Sequence, residues 1–109
     1  MDQTVPAVLI SESNYSNAHG FPWAYKELGL GKLIGMPVPG TMTAVWWENL
    51  INGITFGIPQ VGMKDNQERI PENMQLEPDI KVTNDPANAM KGRDLQIEAA
   101  VESLMKEVK

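Results

Sequence analysis

The stretch Val8–Asn17 (VLISESNYSN) decides the fold, because it runs from a buried strand through a polar turn towards a helix. Apolar side chains fill Val5–Ile10 almost without interruption, which is typical of a strand covered on both faces. Polar residues take over from Ser11, and apolar side chains return at helical spacing between Asn17 and Leu28. Gly29 can end that helix, so the sequence predicts a strand, a turn and a helix in succession.

The rest of the chain continues this start as a mixed α/β pattern. Lys32–Gly35 (KLIG) is predicted as a second strand, parallel to the first through a helical crossover. Two β-rich segments, Thr41–Trp47 and Ile54–Met63, flank the turn signal Asn52-Gly53. We then expect a polar connection, a short strand, a short helix opened by Asp85-Pro86 and a terminal helix, over 64–73, 79–83, 85–92 and 94–109.

The terminal helix is predicted to be amphipathic. Its apolar side chains share one stripe, and four charged side chains lie opposite. The stripe consists of Ile97, Ala100, Val101, Leu104 and Val108.

The pair Trp46-Trp47 lies in a predicted strand, so the two indoles are expected to face opposite sides. One interpretation places one indole in the core and the other on the outer face. The other interpretation is a groove or a subunit contact, because tryptophan is enriched in interface hot spots. The sequence leaves both open.

Composition excludes several classes of function. The 109 residues fit one domain or a part of one, and the formal charge of −5 argues against a nucleic-acid partner. No run approaches the roughly 18 apolar residues that a membrane span needs. The chain has no cysteine and a single histidine, so we expect no thiolate or multi-histidine metal site. Residues 1–63 carry only six of the charged side chains, which indicates a core or a surface that meets a partner.

Ser16 stands where the polar turn meets the helix. A hydroxyl at this junction is exposed, and the first free N–H groups of the helix point towards nearby negative charge. A serine nucleophile and its oxyanion hole need this geometry. The alternative is that Ser16 is a helix N-cap, since serine is a favoured cap residue.

Two further residues could take part in such a site. Glu72 lies in the loop before a predicted strand, where a carboxylate can orient a catalytic imidazole; the alternative is a solvated loop charge. His19 follows Ser16 by three residues and is poorly placed as its general base, because the helical turn points the two side chains differently. We expect His19 to be a surface or capping histidine.

Three segments together resemble the catalytic core of the tail-specific (C-terminal processing) and tricorn-core serine peptidases. They are Val8–Asn17, Gly29–Gly35 (GLGKLIG) and Glu72–Ile80 (ENMQLEPDI), which looks like that family's Glu-Asn-x-x-x-x-Pro-Asp segment. The resemblance covers roughly residues 5–105. It implies an α/β fold that is part of a crotonase-like spiral, with a strand-helix-strand start, a β-rich middle and a C-terminal helix. Residues 1–109 would be the C-terminal portion of a serine peptidase catalytic domain, with its upstream part absent.

Carried over residue by residue, the resemblance puts Ser16 on the nucleophile and the Asn17 backbone N–H on one oxyanion-hole donor. Thr41 stands where the tail-specific branch has a lysine, and Lys32 lies too early to replace it. Glu72 matches the glutamate of the tricorn-like branch, whose histidine lies upstream of the nucleophile strand. The resemblance therefore implies a Ser-His-Glu triad whose base is missing from this chain.

By this resemblance the parent protein hydrolyses peptide bonds through an acyl-enzyme on Ser16, without a metal or cofactor. The chain alone should have negligible activity, because a serine without a base is a weak nucleophile. The expected partners are a peptide or protein substrate and the upstream part of the same domain. A second copy is also possible through open strand edges. The alternative is a non-catalytic ligand- or peptide-binding module on the same scaffold. An exported or periplasmic parent is implied by the resemblance alone.

Overall fold

The computed structural model describes residues 6–108, and its elements follow the predicted order of a mixed α/β fold. The strands are β1 (Ala7–Ile10), β2 (Lys32–Gly35), β3 (Ala44–Asn49), β4 (Thr55–Val61) and β5 (Ile80–Lys81). The helices are α1 (Asn17–Glu27), α2 (Pro86–Ala89) and α3 (Leu95–Glu107). Val5, the first residue of the predicted strand, lies outside the described residues.

A three-stranded parallel sheet forms the centre of the molecule, in the order β1-β2-β5. The helix α1 connects β1 to β2, as the crossover pattern predicted. Gly35 ends β2 with a φ of 132°, and a Cβ there would lie 2.0 Å from the carbonyl oxygen of Ile10. The close pairing at this end of the sheet therefore requires glycine.

The two sides of the sheet are covered differently. A cluster of buried side chains joins the sheet to α1 and to the loops that follow β2 and precede β5; its members are Ile10, Trp23, Tyr25, Leu33, Val38, Met42 and Leu76. The helix α3 packs against β1 and β2. Lys32 of β2 donates to Ser103 Oγ at 3.2 Å and forms an ion pair with Glu107, so polar contacts fasten α3.

The helix α3 forms as predicted, but much of its apolar stripe is exposed to solvent. Ile97, Val101 and Val108 are 50 %, 53 % and 70 % exposed, whereas Ser103 is buried. Within α3, Ser103 is buried and the stripe residues Ala100 and Leu104 are half-buried, so only part of the predicted stripe is covered.

Pro22 lies in the second turn of α1, later than the first-turn position where a proline costs nothing. It leaves the carbonyl of Ala18 without its usual donor four residues on. The side-chain amide of Asn14 donates to that carbonyl at 2.9 Å. This bond from the preceding turn satisfies the free acceptor, so the helix continues through the proline.

The strands β3 and β4 form the antiparallel hairpin predicted around Asn52-Gly53, and Gly53 has a φ of 81°. Trp46 and Trp47 are 56 % and 70 % exposed, so the interpretation that placed one indole in the core is wrong. The molecule is elongated, since its radius of gyration is 17.6 Å, whereas a compact chain of this length has roughly 13 Å. No helix in the described part is long and apolar enough to cross a membrane.

Candidate active site

The turn between β1 and α1 gives Ser16 an unusual backbone. Asn14 anchors the turn, because its side-chain oxygen accepts from Ser11 N and its own N–H donates to Ser11 O at 3.0 Å. Ser16 then adopts a φ of 55° and a ψ of −115°, a backbone conformation that residues other than glycine rarely take. Strain of this kind costs about 1–3 kcal/mol and persists where the surroundings hold it, frequently at functional sites.

The hydroxyl of Ser16 does not cap α1. It makes no capping hydrogen bond, although the Ser16 carbonyl accepts from His19 N at 2.8 Å and from Gly20 N at 3.0 Å. The N-cap interpretation of the side chain is therefore wrong. The N–H of Asn17, at the first position of the helix, has no acceptor among residues 6–108. A strained serine on a strand-turn-helix junction, followed by a free N–H, matches the requirements for a nucleophile with an adjacent oxyanion donor.

The loop that follows β2 returns to this turn. Thr41 Oγ1 accepts a hydrogen bond from Ser16 N at 3.1 Å, between residues 25 positions apart. Thr41 stands where one branch of the resembled family has a lysine, and the structure places it directly beside the serine. Lys32 contacts Ser103 and Glu107 of α3 instead.

Glu72 binds the next two residues of the same loop. Its Oε2 accepts from Met42 N at 2.5 Å and from Thr43 N at 2.6 Å. These two N–H donors hold the pKa of Glu72 below its ordinary value, because they stabilise the ionised carboxylate. Glu72 is half-buried and bonded, so the interpretation as a solvated loop charge is wrong.

The segment around Glu72 is itself firmly held. Asn73 has a φ of 62° and donates to the carbonyl of Gly40 at 3.0 Å. Val38 and Leu76 exchange backbone hydrogen bonds of 2.9 Å. Asp79 closes the segment onto β2, since its Oδ2 accepts from Leu33 N at 2.8 Å. The Glu-Asn and Pro-Asp ends of the motif thus have separate tasks: one binds the loop, and the other binds the sheet.

His19 is fully buried, so the expectation of a surface or capping histidine is wrong. Its ring meets the Trp23 indole edge-on, with 5.5 Å between centroids. Neither ring nitrogen has a hydrogen-bond partner among the described residues. Burial lowers the pKa of His19, although the nearby Glu72 carboxylate opposes that shift. His19 therefore makes no hydrogen bond to Ser16.

A cleft of about 570 Å³ opens beside Ser16 and Asn17. One wall is α1, and the other is formed by residues 63–66 together with Met42 and Pro71. Arg69 stabilises the second wall: it bonds Asp65 at 2.7 Å and Glu27 at 3.0 Å, and it lies 5.4 Å from the centre of the Trp23 ring. Desolvation by burial raises the pKa of Asp65, but hydrogen bonds from the backbone N–H groups of Arg69 and Gln67 and from the Arg69 guanidinium outweigh it and lower that pKa.

Sequence reasoning treated residues 64–73 as a plain polar connection and missed this wall. The Asp65–Arg69 pair at a spacing of four was the available signal. Residues 6–108 contain no group of three or more histidine, cysteine, aspartate or glutamate side chains arranged to hold a metal ion.

Comparison with known proteins gives a family match and several similar proteins. The profile of Peptidase family S41 matches residues 3–82. The tricorn protease of Thermoplasma acidophilum is 28% identical over 107 residues, which cover 94% of this chain and 10% of the relative. A crystal structure of the tricorn protease superposes with a TM-score of 0.84 over 93% of this chain, at 28% identity.

A crystal structure of a protein from Parabacteroides merdae, described as a candidate peptidase, superposes with a TM-score of 0.73 at 26% identity. It covers 90% of this chain, which in turn covers 31% of that protein. The chain spans about a tenth of the length of the curated relative that it matches.

Proposed function

The chain belongs to peptidase family S41, as its similarity in sequence and structure to the tricorn protease also indicates, and from this we propose that it carries the nucleophile of a serine peptidase. The observation that carries the proposal is the backbone of Ser16, strained at a φ of 55° with its hydroxyl uncommitted at the start of α1. A capping serine would use that hydroxyl, and an ordinary turn would relax the strain. A nucleophile needs both features.

In this proposal Ser16 Oγ attacks the carbonyl carbon of a peptide bond, and the N–H of Asn17 stabilises the negative charge that develops on the carbonyl oxygen. The hydroxyl proton passes to a base and then to the leaving amine. The acyl group stays on Ser16 Oγ as an ester until water hydrolyses it. The position of Asn17 at the helix N-terminus supports this role, because the helix dipole favours negative charge there.

The base is a histidine outside this chain, and Glu72 orients it. His19 is unsuited to the task, since it is enclosed and makes no bond to Ser16. The Glu72 carboxylate remains ionised because the amides of Met42 and Thr43 hold its pKa down, and an ionised acid can orient and stabilise an imidazolium. The chain alone should therefore have negligible activity.

We also propose that residues 1–109 are the C-terminal portion of the catalytic domain and contribute to a crotonase-like spiral. The exposed apolar residues of the hairpin and of α3 support this proposal, since they would then meet the upstream part of the same domain. Within residues 6–108, β1 is an edge strand of its sheet, which supports pairing of that edge with the upstream part or with a second copy. The substrate is a peptide or a protein.

Labelling of the full-length protein with a serine-directed fluorophosphonate tests whether Ser16 is a nucleophile. We expect one label on Ser16, found by mass spectrometry of the digested protein, and none in Ser16→Ala. Ser11 and Ser13 serve as internal controls, because they lie in the same turn without the positive φ. A folded protein that stays unlabelled at Ser16 would refute the peptidase proposal.

The second candidate is a non-catalytic module that binds a peptide or another ligand. The exposed Trp46 and Trp47 favour it, since large aromatic side chains at a surface are typical of binding sites. The same labelling experiment separates the two, because a binding module leaves Ser16 unlabelled.

A further inference from the structure

The strained backbone of Ser16 is held from two sides. On one side, the Ser16 carbonyl accepts hydrogen bonds from His19 N and Gly20 N in the first turn of α1. On the other side, the N–H of Ser16 donates to Thr41 Oγ1 at 3.1 Å, and this is the one hydrogen bond that this N–H makes among residues 6–108. The direction of this N–H and the φ of Ser16 change together, so the bond to Thr41 bears on where the Ser16 side chain points.

Thr41 is well suited to hold another residue, because its own surroundings are fixed. The preceding Gly40 packs so closely on the Asn73-Met74 backbone that a Cβ there would lie 2.3 Å from Met74 N. The following two residues, Met42 and Thr43, donate their N–H groups to Glu72. Threonine is also β-branched, which restricts the side chain to few rotamers.

We propose that Thr41 is a positioning residue for Ser16, and that Thr41–Thr43 is a bridge that fixes the serine and Glu72 relative to each other. The hydroxyl of Thr41 orients the serine through its N–H, while the next two amides orient the carboxylate. The inference rests on the proposed role of Ser16 as nucleophile. It adds a residue that acts through another and touches neither substrate nor base.

The matched variants are Thr41→Val, which keeps the branched shape and removes the acceptor, and Thr41→Ser, which keeps the acceptor. Saturation kinetics of fluorophosphonate labelling give a maximal rate and a half-saturating probe concentration. We expect Thr41→Val to lower the maximal rate about tenfold or more, because small displacements of a nucleophile are costly. Thr41→Ser should stay within about threefold of the wild type. The half-saturating concentration should not change in either variant, since Thr41 does not contact the probe.

Equal rates in Thr41→Val and the wild type would overturn the inference. So would an equal loss in both variants, which would assign the effect to the methyl group of Thr41. Thermal melting of each variant shows that the folded state is compared throughout.

Hydrogen exchange at the Ser16 amide gives a second measurement that needs neither labelling nor Thr41→Val. We expect this amide to exchange at least about tenfold more slowly than an unprotected one, in the wild type and in Thr41→Ser. Unprotected exchange in the folded wild type would overturn the inference, including where Thr41→Val fails to fold. If Ser16 is never labelled but its amide is protected, the proposed nucleophile fails while the hold by Thr41 on Ser16 stands.

Discussion

The loops around Ser16 and the β3–β4 hairpin differ in how they are bonded to the rest of the chain and in how much apolar surface they expose. Around Ser16 every short loop is tied to another one: Thr41 to the serine, Met42 and Thr43 to Glu72, and Asn73 back to Gly40. In the hairpin the two strands bond mainly to each other, and large apolar side chains on both faces are exposed. The first region is held by hydrogen bonds between its own loops, whereas the second leaves a large apolar surface exposed.

This difference separates a region that is held by its own hydrogen bonds from one whose large apolar side chains stay exposed. The position of Ser16 and Glu72 depends on bonds that lie within residues 6–108, so this half of the site should be preformed. The hairpin exposes an aromatic surface that a solitary soluble protein rarely keeps bare. Substitutions that affect stability strongly in one region should therefore affect it weakly in the other.

The largest contrast is expected between two tryptophans. Trp23 is buried in the core and lies under Arg69, so Trp23→Leu should lower the free energy of unfolding by about 2–4 kcal/mol, as large-to-small core changes do. Trp46 is exposed on β3, so Trp46→Thr, which keeps β propensity, should change it by about 0.5 kcal/mol or less. Urea unfolding followed by circular dichroism measures both. A comparable loss of unfolding free energy in the two variants would mean that the hairpin packs against the rest of the molecule.

Much of the fold could be predicted from local signals. The apolar run of β1, the Gly29 stop, the Asn52-Gly53 turn and the cap at Asp85 each depend on neighbours in sequence, and all are found. These signals report backbone preferences, which a few adjacent residues decide.

What could not be predicted depends on contacts between distant segments. His19 is buried near Glu72, which is distant from it in sequence, and the bond from Ser16 to Thr41 spans 25 positions. On α3 the apolar stripe was visible, but a periodic pattern does not reveal whether its partner is the sheet or another surface. For the site, the resemblance marked Ser16 and Glu72, while the structure was needed to find the loop that joins them.

A pair of glycines gives a smaller contrast of the same kind. At Gly40 a Cβ would meet backbone atoms of Asn73 and Met74, so Gly40→Ala should cost about 2–3 kcal/mol of stability through overpacking. At Gly62, just after β4, nothing lies within 4 Å of such a Cβ. Gly62→Ala should therefore change stability by about 0.5 kcal/mol or less. Chemical unfolding of the two variants is the measurement, and an unaffected Gly40→Ala would show that the Gly40–Asn73 contact is loose.

The smallest effect should depend on pH. Because the amides of Met42 and Thr43 depress the pKa of Glu72, its carboxylate stabilises the folded state above the ordinary glutamate value of 4.5. That contribution is lost as the pH falls through the lower pKa of the folded state. At pH 7 Glu72→Gln should therefore be less stable than the wild type by about 1–2 kcal/mol.

The gap between Glu72→Gln and the wild type should close as the pH is lowered below 4.5 and the wild-type carboxyl becomes protonated. Glu48→Gln is the matched control on the hairpin, because the Glu48 carboxylate is exposed and makes no hydrogen bond within residues 6–108. Its unfolding free energy at pH 7 should differ from that of the wild type by about 0.5 kcal/mol or less, as for other exposed surface changes. Urea unfolding at several pH values measures all three proteins. A gap for Glu72→Gln that stays constant down to pH 3 would mean that the shape of the side chain, and not its charge, holds the Thr41–Thr43 bridge.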